Sequence, residues 1–553
     1  MSAYLPLCRI PESKTGVSLD LSMAARHGLV TGATGTGKTV TLQALAQGFS
    51  DAGVSVFCCD VKGDLSGIAA TGGDNPKIGA VFGKLGLPEP VWKACPAAFW
   101  DVFGKKGHPL RATVSDLGPL LMGRLMGLSD VQADSLRLLF RIADEKGLPV
   151  LDLADLRALI GWASENSAAL KAEFGLLSSA SLGALQRSVL VLEDSGAGRF
   201  FGEPALQIGD LVRTAPDGRG VVHVLASEDL MAEPTLYATV LLHLLGELFE
   251  ELPEAGDLSK PRLILLLDEA HLLFDDAPKA LVDAVERTAR LVRSKGVGLW
   301  LVTQSPLDVP ESVLGQLGNR VHHALRAYTP KDRKAVDSVA NSLRPNPRVD
   351  AATVITELGV GEALVSFLDA EGRPTPVERA RVVPPASRIG SLSPEERSAV
   401  VAASPLGAQY DKAVNRESAY EMLRGRMGTG MPGSEPSSGG AGSPGRGGTG
   451  SVPREPTIEE IEAELRGWPP PARTEPEYAE EPDPRRVPEP RSSGGSRTGT
   501  RGGSRPSRSS GYSNPGGSFA EDLARLALST AGRELGRQVV RGLLGTRSTR
   551  RRR

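Results

Sequence analysis

Residues 27–42 read HGLVTGATGTGKTVTL. A short apolar run, Gly28 to Thr31, leads into Gly32-Ala33-Thr34-Gly35-Thr36-Gly37-Lys38-Thr39, a full match to G-x-x-x-x-G-K-[ST]. Val40 then opens the helix-like stretch VTLQALAQGFSDAG. Glycines at these spacings let successive backbone N–H groups converge on phosphate oxygens, and the following helix turns its positive N-terminus toward them. In such a loop Lys38 reaches the β- and γ-phosphates and the Thr39 hydroxyl sits on Mg²⁺. The stretch therefore predicts a nucleotide site formed by Gly32, Ala33, Thr34, Gly35, Thr36, Gly37, Lys38, Thr39 and Val40, set between a strand and a helix.

The same alternation of strand and helix continues beyond the loop. VSVFCCDVKGD, GVVHVLAS, RLILLLDEAH and VGLWLVTQ read as strands, with helix-like segments such as TLYATVLLHLLGELFEEL and LVDAVERTARLVRSKG between them. Near-continuous apolar strands separated by helices predict an α/β fold with a parallel sheet covered on both faces. Residues 1–80 and 219–390 are expected to form this core. Residues 81–218 read as a mostly helical insertion and residues 391–426 as a helical extension. Residues 427–517 are dominated by Gly, Ser, Pro, Arg and Glu, a composition that buries too little apolar surface to offset its ordering entropy, and are expected to be disordered. Residues 518–545 show apolar positions at three- and four-residue spacing, an amphipathic helix that would pack on the body or a neighbouring subunit, or touch nucleic acid or anionic lipid. Residues 546–553 form a basic tail.

The run LILLLDEAH carries the second landmark. Asp268 at the strand end would hold the Mg²⁺, and the adjacent Glu269 would orient and polarise an attacking water. The second carboxylate favours hydrolysis over mere nucleotide binding. The next strand ends at Gln304, placed to sense the γ-phosphate or the lytic water.

Composition narrows the remaining classes. Lys and Arg total 64 against 66 Asp and Glu, so net charge points to neither nucleic acid nor a membrane. No apolar run approaches the roughly 20 residues needed to span a bilayer. The four cysteines form no CxxC pair, which argues against a metal site or a disulfide framework and for a reducing, cytoplasmic setting. No N-K-x-D guanine-recognition motif and no LSGGQ-like signature is present.

Taken in order, the phosphate loop, CDVKGDLSG, LLLDEAHLLF, RLVRSKGVGLWLVTQSP, LGNRVHHALRAYTPKDRKAV, SLRPNPRVD and LGVGEALVSFLDAEGRP resemble the HerA-like branch of the HerA/FtsK superfamily. That resemblance implies a RecA-like core, the Gln304 strand lying between the loop strand and the Asp268 strand, and a homo-oligomeric ring, a hexamer, with ATP between subunits. It implies an arginine supplied by the neighbouring subunit, for which Arg320 and Arg326 are the candidates and Arg290 and Arg293 the alternatives. Asp60 and Lys62 would contact nucleotide or a neighbour, or simply shape a tight turn. The implied activity is ATP hydrolysis that drives translocation on, or unwinding of, double-stranded DNA. An ATP-regulated scaffold or assembly protein is the alternative. The chain departs from the pattern in two ways: about 30 residues precede the loop, too few for the family's N-terminal β-barrel, and the helical insertion is large and would serve as a lid, a subunit interface or a surface for a protein partner.

Overall fold

The structure, a computed structural model, describes residues 3–428 apart from 176, 257 and 276–278. The linker, C-terminal helix and basic tail read from residues 429–553 lie outside the described residues. Twelve strands form one sheet: β1 (Tyr4–Arg9), β2 (Gly16–Asp20), β3 (Gly28–Thr31), β4 (Ser55–Asp60), β5 (Ala97–Asp101), β6 (His108–Pro109), β7 (Val222–Ala226), β8 (Leu263–Leu267), β9 (Val297–Thr303), β10 (Asn319–His322), β11 (Glu362–Ser366) and β12 (Glu378–Val382). Their order is β2-β1-β12-β11-β10-β3-β9-β8-β4-β7-β5-β6. From β10 to β6 every pairing is parallel, while β10–β11, β11–β12, β12–β1 and β1–β2 are antiparallel.

This is the mostly parallel α/β, RecA-like arrangement that the sequence predicts. Every residue of β3, β4, β7, β8 and β9 is buried, as expected for strands covered on both faces. Alternate side chains feed opposite cores. Leu263, Leu265 and Leu267 join one cluster with Leu299, Leu301 and the helix Pro234–Glu251. Ile264 and Leu266 join the other with Trp300, Val302 and the helix Lys38–Asp51. The two-residue period of an extended strand thus divides one apolar run between two layers.

Strand β9 lies between β3 and β8, with Leu301 level with Leu29 on one side and Leu267 on the other. Three strands carrying predicted chemistry are therefore neighbours, and because they are parallel their C-terminal ends share one rim of the sheet.

The span 81–218 is mostly helical but also contributes two strands to the sheet. Strands β5 and β6 extend the sheet beyond β7, and only after them come the helices Val114–Leu125, Asp130–Lys146, Leu153–Glu165, Ser167–Phe174 and Ser179–Asp194. These helices share a core with the sheet's Pro234–Glu251 face. The extension after residue 390 forms helices Pro394–Ala403 and Ala419–Gly428. The latter packs on Leu153–Glu165, where the buried Asp155 carboxylate accepts from Tyr420 N and Leu151 N, both at 2.8 Å. Ahead of the phosphate loop, β1 and β2 make a hairpin that pairs through β1 with β12. Among the described residues no helix is long and apolar enough to cross a membrane. All four cysteines are buried and free.

Candidate nucleotide site

Strand β3 ends at Thr31, and the loop climbs over the rim to a helix that starts at Lys38. Gly35 (φ 76°) and Gly37 (φ 116°) take left-handed backbone conformations that side chains resist. Close approach adds a second constraint: a Cβ on Gly32 would stand 2.5 Å from His323 Cβ, and one on Gly37 would stand 3.1 Å from Gly361 N. Ala33 N donates to Ala324 O (2.9 Å) and Thr36 Oγ1 to Ala33 O (2.7 Å). The Lys38 ammonium lies under the arch and donates to Gly32 O at 2.5 Å and Ala33 O at 3.2 Å. Thr34 and Gly35 are exposed at the tip, while Thr39 and Val40 are half-buried in the first helical turn.

Directly beyond β8, Asp268 and Glu269 are both buried. Asp268 Oδ1 accepts from Glu269 N (2.9 Å), and the Tyr237 hydroxyl donates to Asp268 O (2.6 Å). Glu269 has φ 48° and ψ 45°, a left-handed conformation for a residue with a side chain. Backbone strain of this kind persists only where the surrounding structure enforces it, and it clusters at functional sites. His271 Nδ1 lies 3.4 Å from Glu269 Oε2, within ion-pair reach but without hydrogen-bond geometry, so this buried oxygen has no hydrogen-bond partner among the described residues.

The electrostatics tie the two motifs together. Burial, and then the Glu269 charge, push the Asp268 carboxyl up to about 6, against the opposing pull of Lys62 and Lys38. Burial lowers the Lys38 ammonium, and Asp268 and Glu269 work against that drop. Two carboxylates held side by side out of water favour a cation beside them. The Thr39 hydroxyl and the Asp268 carboxylate are both hard oxygen donors of the kind Mg²⁺ takes, so their chemistry is compatible with the metal role expected from the sequence. Burial raises the nearby Asp64 carboxyl, and Lys62 and then Thr39 oppose that rise.

The other predicted residues separate in space. Gln304 is exposed at the end of β9, next to Thr303, whose hydroxyl donates to Asp308 Oδ2 (2.8 Å). Arg320 lies within β10, half-buried, and donates to Leu314 O (3.3 Å), whereas Arg326 is exposed beyond β10. Arg290 is exposed and donates to Glu286 Oε1 (2.7 Å); Arg293 is exposed at the end of the same helical segment. Lys62 is close enough to influence Lys38 and Asp268. Asp60 instead is fully buried, accepts from Leu65 N (3.2 Å) and Ser66 N (3.1 Å), and shapes the turn after β4.

Three residues at this rim were not singled out from the sequence: Tyr237, Asp64 and His323. Each reaches the site from an element distant in sequence or through a partner that no motif names. The adjacent pair His322-His323 at the end of β10 is a local sequence feature that could have drawn attention there.

A family model described as helicase HerA-like C-terminal matches residues 7–443. The DNA double-strand break repair helicase HerA of Sulfolobus acidocaldarius is 23% identical over 373 residues, covering 64% of this chain and 64% of the relative. The probable helicase MJECL08 of Methanocaldococcus jannaschii is 32% identical over 130 residues, 23% of each chain. The chain thus spans less than two thirds of the length of these curated relatives. Among solved structures, the plasmid coupling protein TrwB in complex with ADP and Mg²⁺ aligns at 17% identity and a TM-score of 0.43, covering 68% of this chain and 89% of that one. VirB4 of Thermoanaerobacter pseudethanolicus aligns at 16% and 0.43, covering 72% and 98%. With the family model matched over most of its length, the chain belongs to the helicase HerA-like C-terminal family.

Proposed function

We propose that this protein hydrolyses ATP in a ring of its own subunits, a hexamer by family likeness, and uses turnover to translocate on or unwind double-stranded DNA. The observation that carries the hydrolytic reading is the buried Asp268-Glu269 pair, electrostatically linked to Lys38 across the rim. Backbone N–H groups of Gly32–Thr39 bind the phosphates, and Lys38 turns from the loop carbonyls to the β- and γ-phosphate oxygens. Thr39 and Asp268 would hold Mg²⁺, which when bound would supply charge neutralisation at the transferred phosphoryl group. Glu269, whose Oε2 has no hydrogen-bond partner among the described residues, accepts a proton from the attacking water and sets its direction. Gln304 reports the state of the γ-phosphate from the end of β9.

A neighbouring subunit completes the site with an arginine. Arg326 suits that role better than Arg320, because it is exposed, whereas the Arg320 guanidinium is half-buried on Leu314 O. The HerA relatives, named as DNA repair helicases, favour duplex DNA as the substrate of the motor. Phosphate release measured at low salt should rise several-fold on adding duplex DNA, and the rise should fade as salt competes for the DNA backbone. A rate indifferent to DNA would instead leave an ATP-regulated assembly protein.

A further inference from the structure

The buried imidazole of His323 lies beneath the phosphate loop, outside every motif of the hydrolytic reading. Its Nδ1 is 2.8 Å from Glu362 O and its Nε2 is 2.8 Å from Thr41 Oγ1. A carbonyl oxygen only accepts, so Nδ1 carries the proton and Nε2 accepts the Thr41 hydroxyl proton. The tautomer follows from the partners. Thr41 stands in the same helical turn as Lys38 and Thr39, so the imidazole joins the first turn of the phosphate-binding helix to the start of β11.

A second bond runs parallel to this one. Gly361 N donates to Thr36 O (2.9 Å), joining the loop itself to the turn before β11. That turn is anchored from behind. The Glu362 carboxylate accepts from Gly359 N (3.1 Å) and from Arg379 (2.8 Å) and Arg381 (3.3 Å) on β12. Both glycines that close on this support are accounted for by it: Gly32 packs on the His323 Cβ and Gly37 on the Gly361 backbone. The loop is thus held on its inner side by a histidine just past β10 and on its flank by the turn that leads into β11.

We infer that His323 is a positioning residue of the nucleotide site: as a neutral bridge between Thr41 and the Glu362 carbonyl, it sets the curvature of the phosphate loop and the pitch of the helix that presents Lys38 and Thr39. The uncharged state matters here. Burial and the nearby Lys38 charge hold the imidazole down to about 4, so it adds no fixed cation to the loop's inner side at neutral pH. Loss of the bridge leaves the phosphate-binding groups present but no longer pre-aligned, so nucleotide affinity falls while the hydrolytic pair is untouched.

The inference rests on the nucleotide-binding reading, and the test separates the two. ADP binding to the full-length protein is measured by calorimetry, alongside KM and kcat for ATP and the melting temperature. If the wild-type protein binds no ADP, the nucleotide reading itself fails. With wild-type binding in hand, His323→Phe, which keeps the ring's bulk and removes both bonds, is expected to weaken ADP binding and raise KM about ten-fold, roughly the effect of losing one or two buried hydrogen bonds. kcat should change much less. His323→Gln, able to accept and donate through its amide, should recover part of the affinity. Thr41→Val removes one end of the bridge and is expected to shift affinity in the same direction, and it carries the test if His323→Phe does not fold. Wild-type affinity in Thr41→Val, or in a folded His323→Phe, overturns the inference, as does a loss confined to kcat.

Discussion

The rim of the parallel sheet and the helical block of residues 114–211 are built on opposite terms. At the rim, Lys38, Asp268 and Glu269 are charged and buried, Glu269 is strained, and one of its oxygens lacks a hydrogen-bond partner among the described residues. The helical block rests mainly on apolar packing, although its buried Asp155 is bonded from outside by Tyr420 N and Arg124 Nη1 has no hydrogen-bond partner among the described residues. Four of its helices start at side-chain caps, Thr113, Ser129, Asp152 and Ser178, and Leu136, Leu139, Leu156, Leu159 and Leu185 fill an apolar interior. Good caps and a filled core are features that stabilise; crowded buried charge is a feature that a fold retains for chemistry. The comparison teaches where to expect activity to fail without unfolding, and where to expect unfolding without any change in chemistry.

The largest effect should come from the rim. Lys38→Ala removes the charge that meets the β- and γ-phosphates and should drop phosphate release below about a thousandth of wild type. Glu269→Gln keeps the side chain's size and removes its basicity, so ATP should remain bound while hydrolysis falls at least about a hundred-fold. Filter binding and phosphate release measured together distinguish the two variants. Turnover near the wild-type level in Glu269→Gln would remove Glu269 from its role, and with it the contrast between rim and block.

That contrast was half legible in the sequence. The phosphate loop and the Asp-Glu strand end announce themselves because their chemistry is contiguous: eight residues in one case, two in the other. Strands β3, β4, β7, β8 and β9 were legible because burial on both faces forces an apolar residue at nearly every position. Strands toward the two ends of the sheet follow no such rule. β6 is two residues long, and β1 carries Pro6, so neither leaves a pattern that periodicity detects. The support under the loop was illegible for a different reason. Thr41 and His323 are 282 positions apart, and Gly361 meets Thr36 through backbone atoms, which no side-chain motif encodes. Of the arginines, the resemblance offered Arg320 and Arg326 ahead of Arg290 and Arg293 but could not choose within the first pair, because exposure and partner are set by tertiary packing.

The helical block offers the converse of the rim variants. Leu185 is fully buried on the helix Ser179–Asp194 within the core shared with the sheet. Leu185→Ala should lower stability to urea by about 2–5 kcal/mol, the usual effect of a large-to-small change in a well-packed core. ATP turnover per folded molecule should stay at the wild-type level. A loss of turnover in protein that remains folded would show that the block takes part in the chemistry after all.

A smaller effect, from acid, should sharpen the comparison by loosening one region first. Burial holds His27, His243 and His323 down to about 4, and His223 and His322 down to about 3, against an ordinary value near 6.5. A group whose folded value is depressed binds its proton more readily in the unfolded chain, so its contribution to stability is complete above about 6.5 and is lost as pH falls toward the folded value. Asp60 and Asp268, both raised to about 6, act in the opposite sense: they favour the folded state as pH falls through that value. Five histidines outweigh two carboxyls. Between pH 7.5 and 6.5 the net loss should be on the order of 1 kcal/mol, well short of the Leu185→Ala effect. The loss should also be local. His27, His322 and His323 flank β3 and the phosphate loop, while the helices of residues 114–211 contain no histidine. Amide exchange at pH 6.5 should therefore accelerate in β3, β10 and the first turn of the helix Lys38–Asp51 before it does in the helical block. Equal acceleration in both regions would mean that the buried imidazoles are coupled to the whole fold rather than to the rim.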